Sequence, residues 1–126
     1  MIIEDESDIR DLLQEIISAL DLPEIRFDMT TAADGNIALT KLKERKFDLI
    51  ITDLFLPGKR GDEIINQTRK GNGLNKTTPF IMISARLEEE GISLAKEINE
   101  NIFFVEKPFE LKKMERLVTL NLGILH

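Results

Sequence analysis

The sequence predicts an α/β protein: a (βα)5 chain folded around one parallel sheet with helices on both faces. Three observations predict it. Four short apolar runs recur along the chain, each nearly continuous, as in strands covered on both sides. Segments with apolar residues spaced three and four apart lie between them, the period of a helix face. Strand and helix alternate throughout, and that order calls for right-handed crossovers and parallel pairing.

The first strand is "MII" (1–3). Ile9, Leu12, Leu13, Ile16, Ile17 and Leu20 follow on one helix face, with Ser7 as the expected N-cap. "IRFDMTTA" (25–32) alternates more and reads as a strand near the sheet edge, and a weaker helix follows from Ile37 to Leu42. "FDLIIT" (47–52) is the third strand, followed by a helix around Ile64 to Thr68. "KGNGLNKTT" (70–78) is the loop before the fourth strand, "PFIMIS" (79–84). Its glycines make no phosphate-binding loop, because neither GxGxxG nor GxxxxGK[ST] is present and the loop precedes a strand instead of opening a helix. A fourth helix is expected around Leu94 to Ile98, then the fifth strand "NIFFV" (101–105). The last helix follows Pro108, with Leu111, Met114, Leu117 or Val118, and Leu122 turned inward. No linker, repeat or low-complexity segment divides the chain, so residues 1–126 read as one domain without an output domain.

Composition narrows the function. At 126 residues the chain can bury a real core. A net charge of −6 with no basic stripe argues against a nucleic-acid surface. The absence of cysteine excludes disulfides, thiolate metal sites and cysteine nucleophiles. No apolar run reaches the length of a membrane span and no signal-peptide layout opens the chain, so a cytoplasmic protein away from the membrane is expected. The single histidine, His126, reads as an exposed end and not a ligand.

Ligands of open parallel α/β sheets bind beyond the carboxyl ends of the strands. Those ends carry the chemistry here. The first strand leads into Glu4, Asp5 and Glu6, the third into Asp53, the fourth ends in Ser84, and Lys107 and Pro108 follow the fifth. Asp53 is an acid in a run that otherwise reads as buried strand, and an ionised carboxylate needs a partner or solvent there. Clustered acids repel one another and titrate together. A hard divalent cation relieves that repulsion, and oxygen-only ligands suit Mg²⁺. One acid or one serine at a strand end would usually be a solvated loop residue. Acids, a hydroxyl and an ammonium on four strand ends together point to a site.

The pieces "EDE" (4–6), "DLIITDLFLPG" (48–58), "MISA" (82–85) and "KPF" (107–109) occur in the order and spacing of a known family. The chain resembles the receiver domains of two-component response regulators over essentially its whole length. The resemblance implies a flavodoxin-like sandwich with strand order 2-1-3-4-5. It implies that Asp53 is the phosphoacceptor, and that Glu4 and Asp5 bind Mg²⁺ together with Asp53 and the backbone carbonyl of Phe55. Ser84 would engage the phosphoryl group, Lys107 would be its cationic partner, and Phe104 would stand at the aromatic switch position. The Lys107–Pro108 peptide would be cis. The implied partners are a histidine kinase or phosphotransfer protein as donor, and a downstream protein on the face of the fourth helix, fifth strand and fifth helix. No direct nucleic-acid contact is implied, and the chain would be a monomer or weak dimer whose only chemistry is its own phosphorylation and dephosphorylation.

The chain departs from the family's usual pattern in places. Glu4 stands where an aspartate is commoner, which keeps the charge. Lys59 and Arg60 occupy a loop that often carries an acid, where they are either solvated or attract an anionic donor. Arg86 falls where the family tunes access to the site. "NENIFF" (99–104) replaces a stretch that commonly holds a glycine, so Asn99 or Asn101 is expected to take the left-handed conformation. Three other functions compete. An aspartate-nucleophile phosphate hydrolase of the haloacid-dehalogenase type would carry a second aspartate at position 55, where this chain has phenylalanine. A flavin carrier of the same fold class would need aromatic stacking that a chain without Trp or Tyr does not offer. A receiver that binds partners without phosphorylation would not need so complete a site.

Overall fold

The computed structural model describes residues 1–22, 25–70, 73–85 and 101–122. Five parallel strands form one sheet, β1 (Ile2–Ile3), β2 (Thr31–Ala32), β3 (Ile50–Asp53), β4 (Phe80–Ser84) and β5 (Ile102–Glu106). Their order is β2-β1-β3-β4-β5. Four helices are described: α1 (Ser7–Ser18), α2 (Gly35–Glu44), α3 (Gly61–Arg69) and the last helix (Leu111–Asn121). The helix expected around Leu94 to Ile98 lies outside the described residues, as do Arg86, Asn99 and His126.

Side chains alternate between two cores along each strand. Ile3, Ile50, Phe80 and Met82 face a cluster with Ala38, Leu39 and Leu42 of α2 and Ile64 and Ile65 of α3. Ile2, Ile51, Ile81 and Ile83 face the opposite way, onto Leu13, Ile16 and Ile17 of α1 and Met114 and Val118 of the last helix. Both faces are apolar, so the strands read as continuous runs. This is why the sequence announced a parallel sheet.

The short β1 is held on both sides. Its register pairs Ile2 with Thr31 and Ile51, and Ile3 with Ala32 and Thr52. The ladder runs past the strand's ends, with Met1 N donating to Leu49 O (2.7 Å) and Glu4 N to Ala32 O (3.0 Å). The same shortness corrects the strand expected over 25–32. Only Thr31 and Ala32 are strand, because β2 is an edge whose one neighbour, β1, pairs with just those two residues.

Two smaller expectations are corrected. Glu6, not Ser7, is the N-cap of α1: its backbone is extended (φ −81°, ψ 116°) and Ser7 is already helical. Starting the helix there places Asp8 in the first turn, where the helix dipole favours an acid. Leu111 was expected inward but is 52% exposed, because the last helix buries Met114 and Val118 and turns its first residue to solvent. Asn101 does take the left-handed conformation (φ 56°), and its carbonyl accepts from Phe80 N (2.8 Å) at the start of β4. The loop before β4 is locked by buried Asn75, which accepts from Phe47 N (2.8 Å) and donates to Leu42 O and Arg45 O (both 2.8 Å).

Candidate functional site at the carboxyl ends of the strands

The sheet reverses direction of growth at β1, with β2 on one side and β3 on the other. Glu4 follows β1 and Asp53 ends β3, so the two acids meet at the switch point where α/β sheets bind ligands. Both are buried, Glu4 completely and Asp53 at 6% exposure. Lys107 reaches in from the loop after β5. Its Nζ lies 2.7 Å from Asp53 Oδ2 and 3.4 Å from Glu4 Oε2. The other oxygen, Asp53 Oδ1, accepts from the Phe55 amide at 3.1 Å. The Lys107–Pro108 peptide is cis, as expected.

Electrostatics follow from this packing. Burial, reinforced by the Asp53 charge, pushes the Glu4 carboxyl up to about 7, against the opposing pull of Lys107 and the Glu6 amide. Burial alone would lower the Lys107 ammonium. The hydrogen bond to Asp53 and the charges of Asp53 and Glu4 outweigh it, and the ammonium is held above its ordinary value. The site therefore carries a firm cation and one carboxyl poised between charged and neutral.

Asp5 and Glu6 are exposed, and their carboxylate oxygens lie within 4.8 Å of one another and of a Glu4 oxygen. Three oxygen donors at that spacing, one of them buried at the cost of a raised pKa, fit a hard divalent cation. Among the described residues this metal-capable group is Glu4, Asp5 and Glu6; Asp53 stands beside it, engaged with Lys107. Ser84 is completely buried at the end of β4, and its carbonyl accepts from Lys107 N (2.9 Å), which ties the hydroxyl-bearing residue to the lysine loop. Phe104 pairs in register with Met82 and is partly buried against the α2–α3 core, on the edge strand two strands away from Asp53.

Two arginines complete the surroundings: Arg10, which the sequence did not single out, and Arg60, which it offered as either solvated or attracting an anionic donor. Arg10 NH1 donates to the Glu4 carbonyl (2.8 Å). A cation in the first turn of α1 opposes the helix dipole, and that mismatch was the available signal. Arg60 places its guanidinium 5.0 Å from the centroid of the Phe55 ring and pairs with Asp62 (3.0 Å). Nothing in the local spacing of "GKRGD" disclosed that stack.

The chain matches the response regulator receiver domain family over residues 1–119. It is 34% identical over 101 residues to the regulatory protein VanRB of Enterococcus faecalis (strain ATCC 700802 / V583), covering 77% of this chain and 44% of that protein. The chain thus spans less than half the length of that curated relative. Among solved structures, the receiver domain of NtrX from Brucella abortus superposes with a TM-score of 0.78 at 26% identity, covering 97% of this chain and 96% of that one. The receiver domain of the sensor histidine kinase PA1611 from Pseudomonas aeruginosa PAO1, solved with a magnesium ion in its active-site cleft, gives a TM-score of 0.80 at 20% identity, covering 97% and 94%. The protein is a receiver domain of two-component signalling. It belongs to the response regulator receiver family, with that family's flavodoxin-like sheet order.

Proposed function

We propose that this receiver is a phosphoacceptor in which Asp53 takes a phosphoryl group from a phosphohistidine on a histidine kinase or phosphotransfer protein. One observation carries the reading: the Asp53 carboxylate is fixed at the mouth of the sheet by Lys107 on one oxygen and the Phe55 amide on the other. An oxygen so held has lost its rotational freedom before the donor arrives. A carboxylate lone pair attacks phosphorus in line with the scissile P–N bond. That bond breaks, and its electron pair leaves on the donor imidazole, which takes up a proton. Lys107 keeps its proton and offers its charge to a phosphoryl oxygen. Glu4, Asp5, Asp53 and the Phe55 carbonyl are the groups that would hold Mg²⁺, which when bound neutralises charge on the phosphoryl oxygens. Ser84 offers its hydroxyl to the new phosphoryl group. The switch then passes to Phe104 and to the face of the fourth predicted helix, β5 and the last helix, where a downstream protein docks.

Intact mass after incubation with Mg²⁺ and acetyl phosphate tests the acceptor. The protein should gain one phosphoryl group, stable in acid and lost in base, only with Mg²⁺ present. Asp53→Asn keeps the shape and removes the nucleophile, and it should gain none. Equal labelling of the variant would remove Asp53 from the role.

A further inference from the structure

The loop between β3 and α3 is tied down at points flanking Phe55. Gly61 N donates to Leu54 O (2.8 Å), and Pro57 O accepts from Gly35 N (3.0 Å) at the start of α2. Gly58, in the left-handed region (φ 80°), packs against the Asn36 side chain. Leu56 is buried in the α2–α3 core. Phe55 is the partly buried residue between these anchors, and its peptide group faces the acceptor, with its amide on Asp53 Oδ1. Its ring packs against the α2–α3 core and also carries Arg60, whose guanidinium lies 5.0 Å from the ring centroid. Arg60 is itself constrained. Its Nε pairs with Asp62 at 3.0 Å, and its amide donates to Glu63 Oε1 at 3.4 Å as the N-cap of α3.

We propose that Arg60 is a positioning residue for the acceptor site: stacked on the Phe55 ring and held by Asp62, it fixes the Phe55 peptide against Asp53. The proposal rests on the reading of Asp53 as the acceptor with Mg²⁺ beside it. Arginine suits the task because its planar guanidinium stacks on an aromatic face while its nitrogen keeps a carboxylate partner. The neighbouring Lys59 does not share the role; it makes an exposed pair with Glu63 at 3.8 Å, four residues along the chain. The stack joins two features that the sequence shows separately, an aromatic residue two positions after the acceptor and a cation seven positions after it.

A double-mutant cycle isolates the stack from the charge. Arg60→Ala removes both, whereas Arg60→Ala in a Phe55→Leu background removes the charge alone. A cation–π contact at a half-exposed site corresponds to roughly a two- to fivefold change in an equilibrium. Hydrogen exchange of the Phe55 amide, measured without metal, should quicken by about that factor in Arg60→Ala, and Arg60→Lys should recover part of it. Mg²⁺ titration followed by chemical shifts should show a coupling of the same size between positions 55 and 60. An unchanged Phe55 amide, or an Arg60→Ala effect on Mg²⁺ affinity of equal size in both backgrounds, would overturn the proposal. The metal-free exchange judges Arg60 alone, while failure of the parent protein to bind Mg²⁺ near Asp53 would strike the site reading.

Discussion

Glu4→Gln should stabilise the metal-free protein, and increasingly so as pH rises. Glu4 is completely buried beside Asp53, and its carboxyl is pushed from an ordinary 4.5 up to about 7. The unfolded chain releases this proton near the ordinary value, whereas the folded chain holds it until about 7. Between the two values the folded state binds more protons, so stability falls with rising pH; the contribution is fully present below the ordinary pKa and lost through the raised one. At about 1.4 kcal/mol per pKa unit, that shift corresponds to about 3 kcal/mol. Glutamine has the same shape and no charge to desolvate, so its advantage should grow by about 2 to 3 kcal/mol between about pH 5 and pH 8. The difference between the two proteins is the quantity to read. Burial also lowers the Met1 ammonium to about 5, which tilts both profiles the opposite way and cancels in the subtraction. Urea unfolding in EDTA, followed by far-UV circular dichroism because the chain has no Trp or Tyr, gives the two stabilities. An advantage that stays flat across this range would show that Glu4 titrates like an exposed acid and that the pocket does not strain it.

Three further outcomes follow from the same geometry. Asp5→Ala should weaken Mg²⁺ binding by at least about tenfold, the loss that removal even of a metal's outer-shell partners brings, read by chemical-shift titration. Gly61→Ala should cost about 1–3 kcal/mol, as overpacking does, because the added methyl meets the Asp53 carbonyl and the Leu54 backbone; unfolding midpoints check the cost, and phosphorylation rate should fall with it. Beryllofluoride with Mg²⁺ should shift resonances at Asp53 and also at Phe104, and movement confined to Asp53 would deny the proposed readout face.

The strongly patterned parts of the chain were legible. β3 and β4 were readable because each buries both faces, and α1 because Leu13, Ile16 and Ile17 of its apolar stripe are buried, although Leu12 of that stripe turns to solvent. Asp53 stood out as a charge at the end of such a run. Residues 25–30 misled because alternation measures burial, whereas strand status needs a neighbour, and β1 is too short to provide one. Leu111 misled because periodicity does not say which turn of a helix first meets the core. The approach of Lys107 to both Asp53 and Glu4 spans more than fifty and more than one hundred positions, so no local pattern could give it. The Arg60–Phe55 stack depends on how one loop folds back, which spacing alone does not fix.

The most direct measurement of the acceptor assignment is its location on the chain. An acyl phosphate on an aspartate is reduced by borohydride to homoserine, which marks the residue permanently. After treatment with acetyl phosphate and Mg²⁺, peptide mass spectrometry should find homoserine at position 53 and unmodified acids at positions 4 and 5. Homoserine at position 5, or the one-carbon-longer 5-hydroxynorvaline that a glutamyl phosphate would leave at position 4 or 6, with Asp53 intact, would contradict the assignment.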